Sequence, residues 1–226
     1  MTDLSAVQRR TIAVLSVGQV LGGISFGATV SLGAVLAAHL SGSDALSGLA
    51  TAAITLGTAL TAVPLAALAR RWGRRPALAT GMTVALVGVG LVIAAVAGHA
   101  FALLLTGFVL IGAGQAANLQ SRFAAADLAT DASRGRDLSI VVWTTTIGAV
   151  LGPNLVGPGE VVGAAVGMPP LTGAYVFTVV AQLAGIVLYL VALRPDPLLL
   201  AQRVVAAHDA AAARIACADR PVAARY

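Results

Sequence analysis

Lysine is absent from this 226-residue chain, cysteine occurs once, aromatic residues make up 4% and charged residues 10%. Each scarcity removes a class of explanation. Cys217, alone, can support neither an intrachain disulfide framework nor a cysteine-based metal site. Sparse aromatics leave no Trp/Tyr belt of any strength and no platform for stacking bases. The charged fraction falls well below the roughly 25% of soluble domains. With 58% hydrophobic residues and a mean hydropathy of +0.92, a soluble chain would lack the polar surface to cover itself. The sequence pI near 10.6 hints at nucleic acid, but the basic residues lie in short connections beside apolar runs. Topological charge, with some attraction to anionic lipid, is the better reading, and no nucleic acid is expected as a partner. No His-Glu-x-x-His, P-loop or paired carboxylates occur, so proteolysis and ATP hydrolysis have no residues to perform them. Gly23-Ile-Ser25-Phe-Gly27 matches the Gly-x-Ser-x-Gly nucleophile elbow in letters only. It lies inside an apolar helix with no His or acid at its depth. The chain reads as no enzyme, with no cofactor and no metal.

What remains is arginine, arranged by position. Arg9 and Arg10 precede the first apolar stretch, and Arg70, Arg71, Arg74 and Arg75 lie between the second and third. Arg122, Arg134 and Arg136 close or follow the fourth, and the rest, from Arg194 to Arg225, follow the sixth. The alternate connections carry Asp44, His99 and Glu160 instead. Basic residues are retained on the cytoplasmic side of a membrane. The pattern predicts an all-α integral protein of the cell membrane, with both termini cytoplasmic: a leader over 1–11, spans near 12–39, 46–69, 77–98, 101–126, 138–158 and 171–193, and a tail over 194–226. Each span offers the roughly 20 apolar residues that cross a bilayer, and lipid requires each to satisfy its own backbone as helix. Ser43 or Asp44 reads as an N-cap for the second span, and Gly157, Pro158 and Gly159 as the end of the fifth. In the tail, Asp196-Pro197 reads as a helix start, and Leu200, Val204, Ala207, Ala211 and Ile215 recur at amphipathic spacing.

The fourth span is the most polar. Gln115, Asn118 and Arg122 share an arc of about 60° at helical spacing, and amides in hydrocarbon point into a bundle interior or a wet cavity. Gln19 repeats the theme on the first span, while the third and sixth look featureless and peripheral. No span holds a buried carboxylate or a deep Arg, so by elimination a solute would be neutral or weakly polar. In the fifth span, Gly148 and Gly152 permit close helix approach, Pro153 bends the rod, and Asn154 adds a polar group expected to be buried.

Ala66-Ala-Leu-Ala-Arg70-Arg71-Trp-Gly73-Arg74-Arg75 resembles the Gly-x-Leu-x-Asp-Arg-x-Gly-Arg-Arg signature between helices 2 and 3 of the major facilitator superfamily. Asp127, the Arg134-Gly-Arg136 stretch and Gly148…Gly152-Pro153 resemble its helix 4–5 loop and helix 5 signature. Ala66 stands for the signature Gly and Arg70 for its Asp. The resemblance covers residues 10 to about 195, the family's amino-terminal six-helix half. It implies two inverted three-helix repeats and a secondary transporter, half or truncated, that moves a small organic solute by alternating access. Gln19, Gln115, Asn118 and Asn154 become candidates for the solute path. Arg70, Arg71, Gly73, Arg74, Arg75, Arg122, Asp127, Gly148, Gly152 and Pro153 become candidates for gating and packing. The implied partners are the solute, the bilayer and a second six-helix half or a second copy. The alternative is a non-transporting scaffold, pseudo-transporter or truncated remnant.

Overall fold

A computed structural model describes residues 4–218, with only the backbone of 208 and 212–218; the predicted leader's first three residues and the tail from 219 lie outside the described residues. The order is α1 (Leu4–Ser41), a 3-10 turn (Asp44–Leu46), α2 (Gly48–Trp72), α3 (Arg74–Ala97), α4 (Phe101–Ala126), α5 (Arg134–Asn154), α6 (Val156–Ala165), α7 (Tyr175–Ala192) and α8 (Pro197–Ala218). Five helices are long and apolar enough to cross a membrane, and the pair α5 and α6 makes a sixth, bent by 53°. α1 has 38 residues, about 57 Å at helical rise. It therefore outruns a roughly 30 Å hydrocarbon core and starts eight residues ahead of the predicted span.

Further boundaries depart from the sequence reading. α2 begins at Gly48 after Ser47, and neither Ser43 nor Asp44 supplies the cap, because the chain first makes the 3-10 turn. The fifth span does not stop at Gly157-Pro158-Gly159. It breaks at Leu155, just after Pro153, and continues as α6 through those residues. Pro153 cannot donate to the helical ladder, so the kink falls where a backbone bond is already missing. Glu160 then holds the following loop, accepting from Leu171 N at 3.1 Å and Gly173 N at 3.0 Å, and α7 starts at Tyr175 instead of 171.

The helices meet through glycine. α3 lies along α4, α2 along the other side of α4, and α5 along α1, while α7 fits against α1 and α3. Gly57 of α2 faces the Val109 carbonyl, and Gly112 of α4 faces the backbone of Ile54 and Thr58. Gly88 and Gly107 do the same between α3 and α4, and Gly23 and Gly27 of α1 meet Gly148 and Gly152 of α5. Lipid gives no hydrophobic drive between helices, so backbones pressed together by small residues supply the contact. Two apolar clusters fill the bundle. One gathers Leu32, Leu36, Ile54, Val92 and Phe108, the other Leu15, Leu78, Met82, Tyr189 and Leu193 toward the arginine-rich end. The outer surface carries Leu60, Val63, Trp143, Val161 and Val187 in the open, a coat suited to acyl chains.

Candidate functional site

The polar residues of α4 divide between two neighbours. Asn118 is buried, and its amide lies on Gly22 of α1, where no side chain stands in the way. Gln115 is half-buried and lines a cavity of about 450 Å³ between α1, α2 and α4. Phe26 and Val30 of α1, Thr51, Thr55 and Thr58 of α2, and Leu119 of α4 are among its other walls, with Ile54, Ala59 and Ala62 completing the apolar lining. Thr55 donates to the Thr51 carbonyl at 2.8 Å, and Thr58 to the Ile54 carbonyl at 2.9 Å and across to the Gly112 carbonyl of α4 at 3.1 Å. Their oxygens remain able to accept from a guest. The volume falls within the roughly 300–1,000 Å³ of small-molecule sites, and the wall is apolar with a few polar points.

Gln19 does not share that wall. It is fully buried, and its Nε2 donates to the Asn118 carbonyl at 2.8 Å and to Ser121 Oγ at 2.5 Å. Its Oε1 accepts from Thr145 Oγ1 at 3.0 Å. With both amide hydrogens and the carbonyl engaged, it ties α1, α4 and α5 together and leaves no group for a solute in this conformation. Asn154 departs further from expectation. The helix ends at that residue, so the side chain is exposed and donates to the Val150 carbonyl at 2.7 Å.

The arginine-rich end holds a second network. Arg74 clasps Asp127 through Nε at 2.8 Å and Nη2 at 3.1 Å, and its Nη1 donates to Gln120 at 2.8 Å. Gln120 also reaches the Ala62 carbonyl at 3.3 Å, so one guanidinium couples α2, α3 and α4. This forked pairing is the geometry in which Arg differs from Lys. Gly73, at φ +95°, leaves room for Asp196, whose carboxylate accepts from Arg75 N at 2.8 Å. Its other oxygen caps α8 through Leu198 N at 3.1 Å and Leu199 N at 3.3 Å. Arg70 is exposed, as is Arg71, which stacks over Trp72 at 5.8 Å. Arg122 is half-buried near this end of α4.

A carboxylate is buried one residue ahead of the predicted fifth span. α5 starts at Arg134, before the predicted 138, and so includes Asp137, which is 3% exposed. Gln8 donates to it at 2.9 Å and to the Ala125 carbonyl at 2.9 Å, and Arg136 lies 3.4 Å away. A groove of about 650 Å³ opens beside this group, larger than the α1–α2–α4 cavity. It sits among helix ends and the α4–α5 connection, away from the polar face of α4 that carries Gln115. α7 also corrects the view of a featureless sixth span: it buries Tyr175, Thr178, Gln182 and Tyr189. On α5, Gly148 and Gly152 lie against α1, and Pro153 packs its ring on Gly27. Among the described residues no cluster of His, Cys, Asp or Glu could hold a metal.

A helical bundle with an apolar coat, glycine seams and a half-open cavity bearing a few polar groups is the architecture of an integral membrane protein. The sequence model of the Major Facilitator Superfamily matches residues 15–222, and the chain belongs to that family. The MFS-type transporter YdeG of Bacillus subtilis (strain 168) is 39% identical over 206 residues, covering 90% of this chain and 47% of that one. The riboflavin transporter RfnT of Brucella anthropi is 38% identical over 160 residues, covering 69% of this chain and 39% of that one. Among solved structures, the human organic anion transporter MFSD10 (TETRAN) aligns with a TM-score of 0.63 at 21% identity, over 84% of this chain and 48% of its own. That likeness speaks for the fold. The chain spans about half the length of the curated relatives it matches.

Proposed function

We propose that this chain supplies one six-helix half of a secondary transporter for a small, neutral or weakly polar organic solute. The half-open cavity with Gln115 and three threonines in its wall carries the reading. It has the size and polarity for such a guest but only one side, so a second six-helix unit, or a second copy of this chain, closes it. The helix pairing supports two inverted three-helix repeats. Exchanging the first three spans for the last three turns the α1–α5 seam into the α4–α2 seam, and the α1–α7 contact into the α4–α3 contact. With the arginines retained inside, both termini are cytoplasmic. The Arg74–Asp127–Gln120 knot then sits at the cytoplasmic mouth, where rocking of one half on the other must break or keep it. The α1–α5 glycine seam lets that half move as one body.

Riboflavin is the first solute to try, because a relative at 38% identity is a riboflavin transporter. The chain, expressed in membranes of a riboflavin-requiring host, is expected to raise uptake of labelled riboflavin or of another solute from a neutral heterocycle panel. Gln115→Leu is expected to lower that uptake at least about fivefold while the protein level holds, since an unpaired solute hydroxyl or amide costs about 1–3 kcal/mol. A Gln115→Leu variant that transports like wild type removes the cavity from the path. A monodisperse protein that neither moves nor is stabilised by any panel member removes the reading in which two copies of this chain form the transporter; if co-expression with a second six-helix half also gives no uptake, the transport reading falls.

A further inference from the structure

Behind the solute cavity lies a much smaller space. Gly22, Ser25 and Phe26 of α1, Met82 of α3, Gly114 and Gln115 of α4 and Gln182 of α7 surround about 10 Å³ of room. A single water needs roughly 10–15 Å³ on this measure, together with two to four polar partners. Both conditions meet here. Gln182 is 2% exposed, and its Oε1 has no hydrogen-bond partner within the protein. Ser25 is 3% exposed, and its hydroxyl reaches only the Thr178 carbonyl, at 3.5 Å, a weak bond that leaves its lone pairs open. Gln115 brings an amide from the side of the larger cavity. A buried carbonyl without a partner costs about 1–3 kcal/mol, and the other walls are apolar or glycine, so no protein group can move in to repair it.

We infer that this space is a binding site for one internal water, held by Gln182 Oε1, Ser25 Oγ and the Gln115 amide, joining α1, α4 and α7 inside the bundle. Gln182 Oε1 accepts one hydrogen of the water, and Ser25 or Gln115 takes the other. Gly22 and Gly114 line the space as bare backbone; a methyl on Gly22 would meet the Asn118 amide, and one on Gly114 would lie 2.9 Å from Ala85 Cβ and 3.5 Å from Gln182 Nε2. Phe26 and Gln115 line both spaces. The water therefore sits one side chain behind the solute wall and engages the Gln115 amide whenever no guest does. This assignment rests on the packing of this chain alone and does not depend on which solute, if any, is moved.

Millisecond X-ray footprinting in detergent tests it, because hydroxyl radicals form from a bound water in place and mark what touches it. Met82 is the reporter: it lines the space and is 3% exposed. Met168, half-buried in the connection before α7, reports bulk solvent within the same molecule. In the wild type Met82 is expected to oxidise at a rate comparable to that of Met168 despite its burial. Gln182→Leu, which removes the acceptor, is expected to slow Met82 clearly, with Met168 unchanged. Ser25→Ala, which adds no volume, gives an intermediate loss and carries the test if the leucine variant does not purify as a monodisperse species. Met82 protected from oxidation in the wild type while Met168 reacts marks a dry site and overturns the assignment. So does a Met82 rate unchanged in both variants.

Discussion

A leucine at position 152 is the most discriminating single substitution in this fold. A Cβ placed on Gly152 would lie 2.6 Å from the Ile24 carbonyl oxygen, 2.7 Å from Ala28 N and 2.9 Å from Gly27 Cα. All three are backbone atoms of α1, so no side-chain rotation relieves the overlap. Restoring a separation of about 3.5 Å from 2.7 Å moves the two helices apart by roughly 0.8 Å along the whole seam. Overpacking by one methyl costs about 1–3 kcal/mol, so Gly152→Ala is expected in that range. Leucine adds three more carbons to the same gap and should exceed about 3 kcal/mol. At about 2–4 °C per kcal/mol for a chain of this size, the melting temperature should fall by roughly 2–12 °C for alanine and by more than about 6 °C for leucine. Val150 supplies the control. It is 58% exposed and points away from α1, so Val150→Leu should stay within about 1 °C, as surface changes do. The assay is thermal unfolding in one detergent, all variants side by side. Should Gly152→Leu melt with Val150→Leu, α5 does not lie on α1 through its glycines and the seam reasoning fails.

Asp127→Asn leaves the Arg74 guanidinium with a neutral partner in a pocket where both side chains are about a tenth exposed. A loss of about 1.5–3 kcal/mol is expected, partly recovered by the Arg74→Asp/Asp127→Arg exchange and read by the same melts. Gly73→Ala combines a strained φ of +95° with the Asp196 carboxylate in the path of the new methyl, for an expected loss of about 1–2 kcal/mol. Asp196→Ala removes the α8 cap for about 1 kcal/mol, and the double variant should lose less than the sum because both act on one contact. In a Cys217→Ser background, a cysteine at Asp44 or Glu160 should react with an impermeant maleimide from outside intact cells, and one at Arg70 or Arg134 only after permeabilisation. Outside labelling at Arg70 overturns the orientation.

The spans were legible because lipid makes composition decisive: apolar runs set between arginine clusters leave few other arrangements. The bend at Leu155 was less so. The letters Gly-Pro-Gly at 157–159 mark a stop as strongly as Pro153 marks a kink, and only the packing of Pro153 on Gly27 decides between them. α7 looked plain because Thr178 and Gln182 are diluted among Val and Leu. Yet Tyr175, Thr178, Gln182, Gly185 and Tyr189 recur at spacings of three and four, and all five are buried on one face. That signal was present in the sequence and could have been found by plotting the few polar and small residues on a helix rather than by averaging hydropathy. Asp137 escaped for a different reason. A boundary drawn four residues late put it in a loop, where an aspartate calls for no partner.

The polar face of α4 shows where sequence reasoning about a site stops. Gln115, Asn118 and Arg122 do lie on one arc, but an arc is not an environment. Asn118 is closed off because α1 presents Gly22 there and comes near enough to bury the amide. Gln115, less than one turn away, stays half open because α1 presents Phe26 and α2 presents threonines, which cannot approach as closely. Gln19 looks on α1 like the same kind of residue, yet it meets Ser121 and Thr145 and is wholly consumed by them. Whether an amide in a membrane helix becomes a binding group or a rivet is thus set by the size of the residue opposite, a tertiary fact. Small neighbours make rivets, and large ones hold the helices far enough apart to leave a cavity.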